Sequence, residues 1–124
     1  RTVDAIHARK TGALIRASVR AGAIVGGADP GELRALTRFA ESFGLAFQIV
    51  DDLLDETADV AILGKAAGGD RARGKATYPA ILGLEGARAA AEKERKTALR
   101  ALARFGHRGE PLGAILDRVF ARAS

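Results

Sequence analysis

The sequence predicts an all-α fold, on three observations. Apolar residues recur at spacings of three and four over a long central stretch. Capping residues and prolines mark where helices begin. No stretch alternates apolar and polar residues in the manner of a half-buried strand.

Taken in order, residues 1 to about 25 are helix formers, with Leu14, Ile15, Ser18 and Val19 near one face, and Gly22, Gly26 and Gly27 weaken the end of this segment. Asp29-Pro30-Gly31-Glu32 then reads as a helix start, with Asp29 as N-cap, Pro30 in the first turn and Glu32 at the reciprocal capping position. Leu33, Leu36, Ala40, Phe43, Phe47, Val50 and Leu54 predict one long helix from about Pro30 to about Glu56, with these residues as its buried seam. Leu45, Ala46, Ile49 and Leu53 make the second half apolar on further faces, as a helix inside a bundle would be. Residues 64–77 form a basic glycine-rich loop containing Gly64, Gly68, Gly69 and Gly74 with Lys65, Arg71, Arg73 and Lys75. Pro79 starts a short apolar helix through Ile81 and Leu82, and a further helix runs from about Glu85 to Phe105, where Gly106 stops it. Pro111 opens a last helix whose buried stripe is Leu112, Ile115, Leu116, Val119 and Phe120.

The length of 124 residues suits one domain or part of a larger one, and 48% hydrophobic residues suffice for a core. Without cysteine there are no disulfides, iron–sulfur clusters, thiol nucleophiles or cysteine zinc sites, as in a cytoplasmic protein. His7 and His107 stand in no metal-ligand spacing, and Ser18 has no neighbouring base for a nucleophilic triad. No apolar run approaches the roughly 18 residues of a membrane span. A net charge of +5 invites a nucleic-acid partner, but the basic residues are interleaved with acids and aromatics are 5% of the chain, which argues against one. The chain begins at Arg1 and contains no methionine, which reads as a piece of something longer.

Two constellations carry chemistry. On a helical projection with Phe47 at zero, Asp51 lies near about 40°, Asp55 about 80°, Gln48 about 100° and Asp52 about 140°, one shared arc. Three carboxylates brought into an apolar bundle repel one another and lose hydration, so they call for cations, and oxygen ligands favour Mg²⁺. The other reading of such residues is a solvated stripe, or the cap of a following helix. The second constellation is the basic glycine loop, where Lys65 and Lys75 can meet phosphate and the glycines allow close approach. Gly69 to Lys75 spells G-x-x-x-x-G-K, but Ala76 follows and no strand precedes, so this is not a nucleotide-binding P-loop. An ordinary surface loop is the alternative.

Three segments in this order and spacing resemble the trans-isoprenyl diphosphate synthases, and most the bacterial enzymes that make geranyl and farnesyl diphosphate. They are Lys10-Thr11-Gly12-Ala13-Leu14-Ile15, then Gly44-Leu45-Ala46-Phe47-Gln48-Ile49-Val50-Asp51-Asp52-Leu53-Leu54-Asp55, then Gly64-Lys65 with Gly69-Asp70 and Gly74-Lys75-Ala76-Thr77-Tyr78-Pro79. The resemblance covers essentially the whole chain and matches the C-terminal portion of a family member. It implies a helical bundle of the isoprenoid synthase type, of which residues 1–124 are the C-terminal part of a single domain. It implies condensation of an allylic diphosphate with isopentenyl diphosphate, assisted by Mg²⁺, with farnesyl diphosphate as the product leaned towards, in a cytoplasmic homo-oligomer.

By the same resemblance Asp51 would ligate Mg²⁺ directly, while Asp52, Asp55 and Asp70 would act through metal-bound water. Lys10 and Lys65 would hold the allylic diphosphate and Lys75 would support that end of the site. Thr11, Gln48 and Phe47 would line the cavity. The family's first aspartate-rich motif has no counterpart in these 124 residues, so the piece alone is expected not to turn over without an N-terminal portion. The alternative is a non-catalytic helical subunit or remnant that keeps the fold and diphosphate binding. Either way, the long helix offers more apolar circumference than the short helices can cover, and an exposed hydrophobic surface or self-association is expected.

Overall fold

The computed structural model describes residues 2–63 and 77–122, and their side-chain surroundings over 9–56 and 77–122. Four helices account for nearly all of it: α1 (Thr2–Val25), α2 (Pro30–Leu63), α3 (Tyr78–Leu102) and α4 (Glu110–Ala121). A 3₁₀ segment, Ala103–Gly109, links the last two. The described residues contain no strand, and the fold is all-α.

The chain reverses between α1 and α2 by local signals alone. Gly27 adopts φ 82°, the left-handed region that glycine enters without steric cost. The Gly27 N–H donates to the Ile24 carbonyl and the Ala28 N–H to the Ala23 carbonyl, both at 3.0 Å, so the last carbonyls of α1 are satisfied as in a Schellman turn. The capping box is present in both directions: the Glu32 N–H donates to Asp29 Oδ1 at 2.7 Å, and the Asp29 N–H to Glu32 Oε1 at 3.0 Å.

α2 is longer than its apolar pattern predicts, continuing through Leu63 rather than ending near Glu56. No glycine or proline lies between Glu56 and Gly64, so nothing in the local chemistry stops it sooner. Its buried surface is wider than the predicted seam. Ala40 and Val50 of that seam are fully buried and Leu33, Leu36, Phe43, Phe47 and Leu54 half-buried, while Phe39, Ala46, Ile49 and Leu53 on the adjoining face are buried as well.

The neighbour explains the added face. α3 presents Ala87, Ala91, Ala98 and Ala101, all buried, and small side chains admit close helix approach. Two clusters result. Phe39 packs with Ala98, Ala101, Leu102 and Leu116, flanked by Leu36, Phe43, Phe105 and Leu112. Ile49 and Leu53 pack with Ala87 and Ala91, and Phe120 reaches both clusters.

α3 contains the predicted break between its two parts. Gly83 sits at φ 77°, ψ 167°, which separates a short apolar opening from the long remainder. Thr77 caps the opening, its Oγ1 accepting from the Ala80 N–H at 3.1 Å. At the other end α3 stops at Leu102 and tightens into the 3₁₀ segment, and the reversal expected at Gly106 appears there at φ 59°.

Large apolar side chains are exposed on every helix, among them Leu14, Ile24, Val25, Leu45, Ile81 and Leu82. This matches the expected surplus of apolar surface on the described residues.

On α4 the contrast between adjacent positions is testable. Leu116 is fully buried and Ile115 is 49% exposed. Leu116→Ala should cost about 2–5 kcal/mol in urea unfolding, whereas Ile115→Ala should stay within about 0.5 kcal/mol. Equal costs would mean that α4 does not dock on the Phe39 cluster.

Candidate functional site

α1 lies antiparallel on one stripe of α2. Arg20 Nη1 donates to Thr37 Oγ1 at 2.7 Å, and Arg16 Nε to Glu41 Oε2 at 3.1 Å. One step further, the two backbones nearly touch: a Cβ on Gly44 would lie 3.6 Å from the Gly12 Cα. Each step towards the start of α1 is therefore a step towards the end of α2. This register puts Lys10 and Thr11 at the level of Ala46 and Phe47. Lys10 is exposed and Thr11 half-buried.

Thr37, Glu41 and Gly44 lie at about 80°, 120° and 60° on the Phe47 projection. Gln48, Asp51, Asp52 and Asp55 prolong that same stripe beyond them. Gln48 is half-buried. The structure thus brings Lys10, Thr11, Phe47, Gln48 and the three aspartates to one end of the α1–α2 pair. Lys65, Asp70 and Lys75 lie outside the described residues.

The aspartates are not in the interior, contrary to expectation. Asp51 and Asp52 are half-buried and Asp55 is exposed. Their stripe lies to the side of the line Phe39, Ala46 and Leu53 that α2 buries, so it is only partly covered. The carboxyl that is buried is the next one, Glu56, at 8% exposure, and it too has a partner.

Arg122 and Tyr78 are among the groups that meet the aspartates. Arg122, at the C-terminal end of α4, donates from Nη2 to Asp51 Oδ1 at 2.8 Å. Its guanidinium carbon also stands 5.5 Å from the centre of the Phe47 ring, within cation–π range. The Tyr78 N–H donates to Asp52 Oδ2 at 3.1 Å. Asp52 therefore stabilises the first turn of α3, where unpaired N–H groups and the helix dipole favour an anion. For Asp52 the helix-capping alternative is realised.

Among the described residues no group of three or more histidine, cysteine or carboxylate side chains is gathered closely enough to hold a metal. The donor chemistry nonetheless fits a hard cation. The ligands on offer are carboxylate oxygens, and Asp51 already binds a cationic side chain.

Arg122, Tyr78 and Glu56 were assigned no role from sequence. Tyr78 sat inside a recognised motif. Glu56 continues the acidic run by one residue. Arg122 has no local signal pointing to Asp51, since 71 positions separate them.

Tyr78 offers a direct measurement, because it is the only tyrosine in a chain without tryptophan. Burial raises its phenol above the ordinary value of 10.0, and the charges of Asp52 and Glu94 raise it further. A raised phenol pKa stabilises the fold fully below the unfolded value, and that contribution is lost as pH rises through the folded value. Absorbance titration near 295 nm should therefore place the native midpoint above 10. Asp52→Asn should lower it, and an unchanged midpoint in that variant would remove Asp52 from the phenol's surroundings.

Comparison with known proteins identifies the family. The polyprenyl synthetase family model matches residues 2–110. Farnesyl diphosphate synthase of Escherichia coli (strain K12) is 46% identical over 125 residues, covering 97% of this chain and 42% of that protein. Geranylgeranyl pyrophosphate synthase 9, chloroplastic, of Arabidopsis thaliana is 42% identical over 121 residues, covering 97% of this chain and 34% of that protein. The crystal structure of a candidate farnesyl-diphosphate synthase from Marinomonas sp. MED121 superposes with a TM-score of 0.75 at 36% identity, covering 94% of this chain and 38% of that one. The chain thus spans less than half the length of these relatives. Because the family match takes in residues 2–110 of the 124, the chain belongs to the polyprenyl synthetase family.

Proposed function

We propose that this chain forms the diphosphate-ionising side of a trans-prenyl diphosphate synthase. The observation that carries the reading is the single α2 stripe on which Gln48, Asp51, Asp52 and Asp55 continue the face that α1 packs on, with Lys10 and Thr11 level with Phe47. Asp51 would hold Mg²⁺, with Asp52, Asp55 and Asp70 orienting its water. Bound there, Mg²⁺ neutralises diphosphate charge so that an allylic C–O bond can ionise.

The chain's own residues would do the rest. Lys10 and Lys65 would bind the departing diphosphate as point charges, with Lys75 supporting them. Thr11 and Gln48 would line the reacting carbons, and Phe47 would supply an apolar wall that keeps water from an allylic cation. Isopentenyl diphosphate is the acceptor in this reading and farnesyl diphosphate the product. The relatives named for farnesyl and geranylgeranyl products match the chain almost equally, so the identities alone do not rank these chain lengths. Homo-oligomeric assembly, a cytoplasmic location and a further N-terminal portion that completes the metal clamp belong to the same proposal.

A second reading is supported by the partners of Asp51 and Asp52. Both carboxylates are engaged by groups that hold the fold, Arg122 and the first turn of α3. A non-catalytic helical subunit could retain them for that reason alone.

Calorimetric titration with a non-hydrolysable allylic diphosphate analogue separates the two. The first reading expects Mg²⁺-dependent binding, weakened about tenfold or more in Asp51→Ala and in Lys65→Ala, as befits removal of a charged partner. Binding that ignores Mg²⁺ and both substitutions, or no binding at all, would favour the structural role.

A further inference from the structure

Among the described residues, Arg122 at the end of α4 forms an ion pair with the acidic stripe, and two features of its placement matter. First, a single guanidinium spans Phe47 and Asp51, which are one turn apart on α2: it stands over the ring at 5.5 Å and donates to the carboxylate at 2.8 Å. Second, α4 does not need this ion pair to dock. Leu116 and Val119 are buried, and Arg95 bridges Asp117 on α4 to Glu92 on α3 at 3.3 Å each while standing 5.8 Å over the Phe120 ring. The helix therefore presents Arg122 to Asp51 whether or not Asp51 accepts it.

We propose that Arg122 is a built-in counter-cation that competes with a divalent cation for Asp51. This rests on the reading of Asp51 as the metal ligand. The bond uses Oδ1 alone, and a metal on either oxygen of the carboxylate would stand a double positive charge within a few ångströms of the guanidinium. Latching by the end of α4 and loading with metal thus weaken one another. The latch is weak enough to release: the bond runs through Nη2, and the Arg122 and Asp51 side chains are 45% and 37% exposed. Loading the site would free the last turn of α4 from α2 while its buried stripe stays in place.

Mn²⁺ binding to the 124-residue chain, followed by the loss of the free-ion paramagnetic resonance signal, tests this without turnover. Arg122→Gln should bind Mn²⁺ roughly two- to fivefold tighter than the parent, the range that loss of an exposed competing ion pair gives. Arg122→Lys keeps the charge without the fork and should fall between them. Asp51→Asn should bind weakly, and adding Arg122→Gln to it should bring no gain. If Asp51→Asn weakens binding while Arg122→Gln leaves it unchanged or weaker, the competition is wrong and the metal reading stands. If Asp51→Asn has no effect, or no form binds Mn²⁺, both fall together.

Discussion

A 34-residue helix that is apolar on several faces must find a different neighbour for each of them, and the arrangement of this chain follows from how α2 does so. One face closes on the alanines of α3. Phe39, Ile49 and Leu53 are large and the facing residues are small, so volume is filled without steric conflict. An adjoining edge, Leu36 and Phe43, is finished by the aromatic and aliphatic residues of the 3₁₀ segment and α4. A third stripe takes α1 as far as the Gly12–Gly44 crossing and then turns acidic. Function, in this account, occupies the part of α2 that packing leaves over.

That leftover stripe imposes an electrostatic condition. Asp51, Asp52, Asp55 and Glu56 put four carboxylates into six positions, and like charges at helical spacing are mutually unfavourable. The fold answers from two directions, with a guanidinium on Asp51 and a helix N-terminus on Asp52. Both answers also brace the structure: the first ties α4 to α2, and the second starts α3. The acidic run at the end of α2 thus serves also as a set of joints between helices.

What could be read in the sequence was whatever is decided within a few residues. Asp29 and Glu32 cap α2 because their bonds run three positions in each direction, and the breaks at Gly27, Gly83 and Gly106 are visible as glycines between helical stretches. The helical periodicity and the shared arc of Gln48 and the aspartates were equally local. The facing partner was not. How far burial extends round α2 beyond the seam of Ala40 and Val50 depends on alanines that start more than thirty residues after Ile49. Whether the aspartates are interior depends on what stands opposite them, and no pattern along α2 carries that information. The Arg122–Asp51 pair is the extreme case, joining residues far apart in sequence through the fold alone.

The break at Gly83 has a mechanical meaning. Upstream of it, Thr77 to Leu82 form a single capped turn whose leading N–H is bonded to Asp52, with Ile81 and Leu82 facing out. Downstream runs the stiff, alanine-faced rod that holds the core. The opening turn is itself anchored, since Pro79 is fully buried and Tyr78 packs on the Ile49 cluster. The same turn therefore joins the acidic end of α2 to the core, and the kink at Gly83 sets the direction in which the rod leaves it.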